Sequence, residues 1–138
     1  MKIYELIHKR PLDESKEYFD TKQIGVYSSY EMAHAVKEKY AKELEGFKDY
    51  PQYFEIEEIE VMGLNIGDTL VYQVEFEISK GDYEEIGTVG FYPILKEAEQ
   101  AKIIYLTANP KITESAVTVG KCIIDKSYWV DGFFTYTY

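Results

Sequence analysis

Six glutamates could, by type and spacing, work as acid–base pairs or hold a divalent cation: Glu55, Glu57, Glu58 and Glu60 in YFEIEEIEV, and Glu75 and Glu77 in LVYQVEFEI. Carboxylates do such work when neighbouring groups push two of them to different protonation states, or when several oxygens converge on one ion. Strand alternation instead puts Glu55 and Glu57 on one face, as on a solvated sheet, and no calcium-loop spacing surrounds them. The other reactive side chains are sparse. His8 lies in a strand-like stretch and His34 in a helix-like one, with no second histidine or cysteine at ligand spacing, so a zinc site has no support. Cys122, the single cysteine, stands in an apolar run where a thiol is ordinarily inert packing, and no neighbouring base would make it a nucleophile. Neither GxGxxG nor a P-loop occurs. The residues therefore point to no catalytic group, no cofactor and no metal, and the protein is read as not an enzyme.

Tyrosine is the abundant reactive type, with fourteen among 138 residues. Tyr27, Tyr40, Tyr92 and Tyr105 recur at a fixed spacing, which argues for structure. Tyr128, Trp129, Phe133, Phe134, Tyr136 and Tyr138 do not recur. So many aromatics at one end of a chain must be covered, either by packing or by an interface or ligand pocket.

Fifteen basic against twenty-five acidic residues give a net charge of −10. Such a surface repels phosphate backbones and anionic lipid, so neither nucleic acid nor membrane is expected as a partner, whereas a basic protein would be attracted. One cysteine allows no intrachain disulfide, and the opening MKIYELIHKRPLDE has no long apolar run, so the expected compartment is the cytoplasm.

The elements that must position these residues follow from their periodicity. IYELIH reads as a buried strand, residues 9–22 as a polar hairpin loop, and Gln23 to Tyr27 as its partner strand. Ser28 with Glu31 forms a capping box that opens a helix whose stripe is Met32, Val36, Tyr40 and Leu44, with Gly46 ending it. Tyr53 to Val61 alternates as a half-exposed strand. After a Gly-Asn-Gly-Asp connector, Leu70 to Ile78 and Glu85 to Tyr92 form a second hairpin. Pro93 opens a second helix carrying Leu95, Ala98, Ala101 and Tyr105, Asn109-Pro110 stops it, and Val117 to Asp125 is the last strand.

The same four elements thus occur twice in the same order. IGVY at Ile24 to Tyr27 returns as VGFY at Val89 to Tyr92, and three pairs keep a 65-residue spacing (27 to 92, 33 to 98, 40 to 105). Tyr4 and Tyr72 are offset by 68 because the first hairpin loop is longer. The expected fold is α+β, one domain over residues 1–138 made of two strand-strand-helix-strand repeats, about 1–64 and 69–138. Their mainly antiparallel sheet carries two helices and is either a sandwich or a closed sheet, with the repeats packed about a pseudo-twofold.

IGVYSS at Ile24 to Ser29, GFKDYP at Gly46 to Pro51, FEI at Phe54 to Ile56 and the ending IIDKSYWVDGF at Ile123 to Phe133 together resemble a family of small bacterial proteins known only as a domain of unknown function. The resemblance implies no reaction. Small acidic proteins of this kind are often suspected of acting as immunity proteins. GFKDYP occurs only in the first half and the Trp-Gly-Phe ending only in the second. If they form one site, Tyr27, Ser28, Tyr50, Trp129 and Asp131, with Phe133 beside them, meet across the pseudo-twofold.

Two functions are therefore expected in order. The first is a non-enzymatic, acidic, cytoplasmic protein-binding module, of the immunity-protein kind, that meets a basic toxin through charge and aromatics. The alternative is a small-ligand or regulatory domain with a pocket at the repeat interface. Self-association into a homodimer through the terminal strand and aromatics is compatible with both.

Overall fold

Alternating apolar and charged side chains settle into strands β1 (Lys2–Pro11), β2 (Phe19–Tyr27), β3 (Phe54–Glu60), β4 (Leu70–Lys80), β5 (Tyr83–Tyr92), β6 (Val117–Ile123) and the short β7 (Lys126–Ser127). The longer periodic stretches become helices α1 (Tyr30–Glu43) and α2 (Leu95–Ala108). The computed structural model describes residues 1–134. Among these, the strands form two antiparallel sheets with orders β3-β1-β2-β7 and β5-β4-β6. With β7 set aside the two orders coincide. In each half the first strand is central, flanked by its hairpin partner and by the strand that follows the helix, so the α+β fold is two copies of one unit. No helix among the described residues is long and apolar enough to cross a membrane.

The repeat extends to an irregularity. The β1–β2 ladder slips between Leu6 and Ile7, and the β4–β5 ladder between Val74 and Glu75. The extra residues are Ile24 and Val89, each followed by a glycine. A bulge bends its strand, and the tyrosine two places on lies over the glycine on the same face. A Cβ added at Gly25 would sit 2.7 Å from the Tyr27 hydroxyl, and one at Gly90 2.6 Å from that of Tyr92. IGVY and VGFY are therefore the same device, a bulge with an aromatic lid on a glycine, used once per half.

Strand alternation divides the side chains of β1 between two cores. Leu6 packs outward with Ile24, Tyr27, Ala33, Tyr40 and Phe47 beneath α1. Ile3 packs inward in a cluster shared by both halves, with Val26, Val61 and Leu64 from the first and Val71, Phe91, Cys122 and Ile124 from the second. Val74, Ala98 and Val117 repeat the outer arrangement beneath α2. The order of layers is helix, sheet, sheet, helix, which is the sandwich of the two alternatives and puts a helix on each outer face.

Local details differ from the pattern for identifiable reasons. The N-cap of α1 is Ser29, whose hydroxyl accepts from the Met32 amide at 3.2 Å. Ser28 is withheld from capping because its amide and hydroxyl both donate to the Asp125 carboxylate, each at 2.8 Å. Shifting the cap turns Met32 outward, 42% exposed, and leaves Ala33 and Tyr40 as the buried stripe. Pro93 does not open α2. It packs against the connector at Gly63, and Ile94 is the N-cap. The first hairpin loop narrows to residues 12–18 because β1 and β2 continue past the polar stretch.

The two glycine lids differ in one respect that can be measured. A Cβ at Gly25 would also lie 2.6 Å from the Lys126 carbonyl oxygen, a backbone atom, whereas at Gly90 its three nearest neighbours all belong to the Tyr92 side chain. Gly25→Ala should therefore cost about 2–3 kcal/mol in chemical denaturation and Gly90→Ala about 1 kcal/mol, since a ring can swing aside and a paired strand cannot.

Candidate functional site

Where the halves meet, equivalent strand positions carry polar groups. Glu5 on β1 corresponds to Gln73 on β4, at the 68-residue offset, and Gln23 on β2 to Thr88 on β5, at the 65-residue offset. The four side chains form one network across the two sheets. Gln23 Nε2 donates to Glu5 Oε2 at 2.7 Å, Thr88 Oγ1 donates to the same oxygen at 3.0 Å, and Gln73 Nε2 donates to Thr88 Oγ1 at 2.9 Å. Glu5 is only 5% exposed. Burial pushes its carboxyl above the usual carboxylate range, Gln23 and Thr88 oppose the shift through their hydrogen bonds, and the charges of Glu57 and Glu75 add to it. A buried carboxylate is costly where an amide would serve, and Gln73 shows that an amide does serve at the matching position.

This network is the floor of a cleft. On one side of it lies the shared apolar core around Ile3 and Val71. On the other, further along β1 and β5, the sheets flank an open cleft of about 240 Å³ whose walls include Ile7, Lys9, Glu57, Glu75, Phe76 and Ile86. Beyond it, Tyr18 of the first hairpin loop stacks on Tyr83 of β5 with ring centroids 4.6 Å apart, and within the second hairpin Lys80 pairs with Glu85 at 2.7 Å. The lining carries Glu5, Glu57, Glu75 and Glu85 and one lysine, Lys9, and Glu85 is itself paired with Lys80.

The residues singled out by sequence lie elsewhere, on the outer face of the first sheet. The tail crosses back from the second half, and β7 pairs with β2, Ser127 opposite Gly25. Tyr27 shares a hydrogen bond with the Ser127 hydroxyl at 2.7 Å, and burial raises its phenol to about 12. Ser28 holds Asp125. The Tyr50 carbonyl bonds His8 Nε2 at 2.9 Å, and the Tyr50 ring lies 4.8 Å from the Arg10 guanidinium carbon. Phe133 is buried against Phe47, centroids 4.8 Å apart, and its amide donates to the Glu45 carbonyl at 2.9 Å. Lys22, bonded to Asp20, lies over the rings of Phe133 and Trp129 at 4.0 and 5.2 Å. Tyr27, Ser28 and Tyr50 of the first half and Trp129 and Phe133 of the second thus gather beneath and beside α1, on the outer face of the first sheet and away from the interface between the two sheets. Asp131 is exposed on the same tail. Gly46 has φ +83°, and a Cβ there would lie 2.5 Å from the Phe133 carbonyl oxygen. GFKDYP and WVDGF are therefore the two sides of one packed contact. Tyr136 and Tyr138 lie outside the described residues.

Two isolated reactive groups are also placed. His8 is fully buried among Phe47, Phe54 and Phe133, and desolvation lowers its pKa below the ordinary value. Burial raises the Cys122 thiol to about 11, which keeps it protonated at neutral pH. Sequence reading missed Glu5, Gln23, Gln73 and Thr88. Their signal was available in the repeat itself, since the same offsets that align the tyrosines align polar residues at inward positions of otherwise apolar strands.

Residues 1–67 match the family model described as a domain of unknown function (DUF7336). The match takes in Tyr27, Ser28 and Tyr50, together with Glu5 and Gln23, and ends in the connector before β4, so Trp129, Asp131, Phe133 and the second half lie beyond it. No curated protein and no solved structure matches the chain.

Two substitutions test these assignments. Phe133→Ala should cost about 3–5 kcal/mol in chemical denaturation, as a buried aromatic does, while Trp129→Ala, at a half-exposed ring, should cost under about 1 kcal/mol. At Glu5 the sign follows from its raised pKa. The group stabilises the fold fully below its unfolded value of 4.5, and that contribution is lost as pH rises through the folded value. Glu5→Gln should therefore add about 1–3 kcal/mol at neutral pH and converge with the wild type at acid pH, which urea titrations across pH would read directly.

Proposed function

We propose that the protein is a non-enzymatic binding module that holds a small ligand in the cleft between its two repeats. The observation that carries this reading is the open cleft of about 240 Å³ at the repeat interface, with a hydrogen-bonded polar floor and apolar and charged walls. Small-molecule sites combine these ingredients, and interfaces between packed units are where they concentrate. The single cysteine, reduced and buried, fits a cytoplasmic protein. The cleft reading is tested by thermal shift against a panel of amines, amino acids, nucleosides, sugars and organic acids. A cleft ligand at 100-fold its Kd should add about 2.7 kcal/mol and raise the wild-type Tm by several degrees, and the shift should vanish in Ile86→Trp, which fills the cleft from an exposed position. A panel that shifts neither protein would overturn the reading.

A second reading is favoured by a different surface. Tyr128, Trp129, Val130 and Phe134 are exposed on the tail of a chain with net charge −10. That pairing suits a basic protein partner in the manner of an immunity protein, with the aromatics as anchors and charge setting the encounter rate. Retention of one basic host protein on the immobilised chain, lost in Trp129→Ala and weakened by salt, is the result that favours it.

A further inference from the structure

We infer that the segment 129–133 is a latch that acid opens: protonation of His8 drives Phe133 out of the core beneath α1 while the two sheets stay paired. The latch needs no ligand in the cleft. His8 Nε2 lies 2.9 Å from the Tyr50 carbonyl, which can only accept, so Nε2 carries the proton of the neutral ring. Nδ1 is then the bare nitrogen, buried and without a partner among the described residues. A proton added there would be a donor with no acceptor. The ring that carries it is 0% exposed and caged by Phe47, Phe54 and Phe133, with centroids 5.1, 4.8 and 5.9 Å away.

The charges around the cage oppose a further cation. Arg10 on the same strand and Lys22, opposite His8 on β2, share one carboxylate, that of Asp20. On the other segments packed against the ring, Glu45, Lys48, Asp49, Glu55 and Asp131 are exposed. Tyr50 offers its carbonyl and Tyr53 a neutral ring. Desolvation lowers His8 below its ordinary value of 6.5, Lys22 and Arg10 add to this, and the Tyr50 carbonyl and Asp20 oppose it in part. The neutral ring therefore holds the latch fully shut above 6.5, and that contribution is lost as pH falls through the folded value. The tail is the wall that yields. Phe54 is tied into the β1–β3 ladder, whereas β7 pairs with β2 at two residues only. Past Tyr128, one backbone bond joins the tail to the first half among the described residues, from the Phe133 amide to the Glu45 carbonyl. Trp129 is held at φ +58°, a strained left-handed conformation for so bulky a residue, which release relieves. The inner core around Ile3 and Val71 contains neither His8 nor any latch residue, so it keeps the sheets together when the latch opens.

Amide hydrogen exchange of the full chain, followed by NMR from about pH 7.5 to about pH 4.5 and corrected for intrinsic rates, reads the latch directly. Protection of the Phe133 amide should fall by up to about 10-fold per pH unit below 6.5, in step with titration of the His8 ring, while the amides of β4 keep theirs. Trp129, the single tryptophan, should report the same transition in fluorescence. His8→Gln keeps a donor for the Tyr50 carbonyl and cannot take up the proton, so it should flatten the response. Glu5→Gln, which removes the buried carboxyl between the sheets, should leave it intact. Where His8→Gln folds poorly, the wild type decides alone. Constant protection at Phe133 down to about pH 4.5, whether or not the ring titrates, would overturn the latch. So would a loss at Phe133 that persists in a folded His8→Gln protein, or one that β4 shares at the same pH, which is unfolding of the whole chain.

Discussion

Each half of this protein can bury only one face of its sheet. The helix covers the outer side, and the three long strands leave an inner side of Ile3, Val26 and Ile59 in one half and of Val71, Phe91 and Cys122 in the other. Neither sheet is stable with that side in water, so the pairing of the inner faces decides everything else. Because the halves are copies, the faces that meet are equivalent, as in a twofold dimer made within one chain. Equivalent contact brings equivalent residues together, which is why the polar positions 5 and 73, and 23 and 88, converge on one spot instead of lying at opposite ends of the molecule.

Such a contact would be most stable if apolar throughout. It is apolar at one end and polar in the middle, and it opens into a cavity beyond, so the inner layer changes character over a few residues of β1, from Ile3 through Glu5 to Ile7 and Lys9. A duplicated chain has a freedom that a true homodimer lacks, in that the two copies of a position can diverge. Here the divergence puts a charge on one side of the floor and an amide on the other. Proteins tolerate buried groups of this kind at a stability cost chiefly where they serve a site.

Much of the architecture was legible because it is encoded locally. Alternation in YFEIEEIEV and LVYQVEFEI gave strands, and the 65-residue spacing of Tyr27 with Tyr92 and of Tyr40 with Tyr105 gave the duplication. What escaped is encoded over distance. Ser28 looked like a cap, and nothing near it in the chain reveals that Asp125 competes for its hydroxyl. Trp129, Asp131 and Phe133 were expected to meet Tyr27, Ser28 and Tyr50 across the pseudo-twofold, and that the tail meets the first half on the outer face of its sheet instead depends on β7 pairing with β2, which no short-range pattern specifies. Glu5 is the one glutamate of β1 and the glutamates of its ladder partner β3 are solvated, so its burial becomes visible only when the second sheet is laid against the first.

The returning tail also constrains the order in which the molecule can be assembled. Phe133 completes the core beneath α1, and the Tyr27–Ser127 bond joins residues one hundred apart. As the chain emerges during synthesis, the first half acquires its hairpin, helix and third strand well before the segment that seals it exists. Its outer core must wait with a vacancy the size of an aromatic ring until the second half has been made. Closure of that long loop is entropically slow relative to the local hairpins. The half with every element of a domain is thereby kept from finishing first, and the stretch from β7 to Phe133 acts as the step that commits both halves to a single cooperative unit.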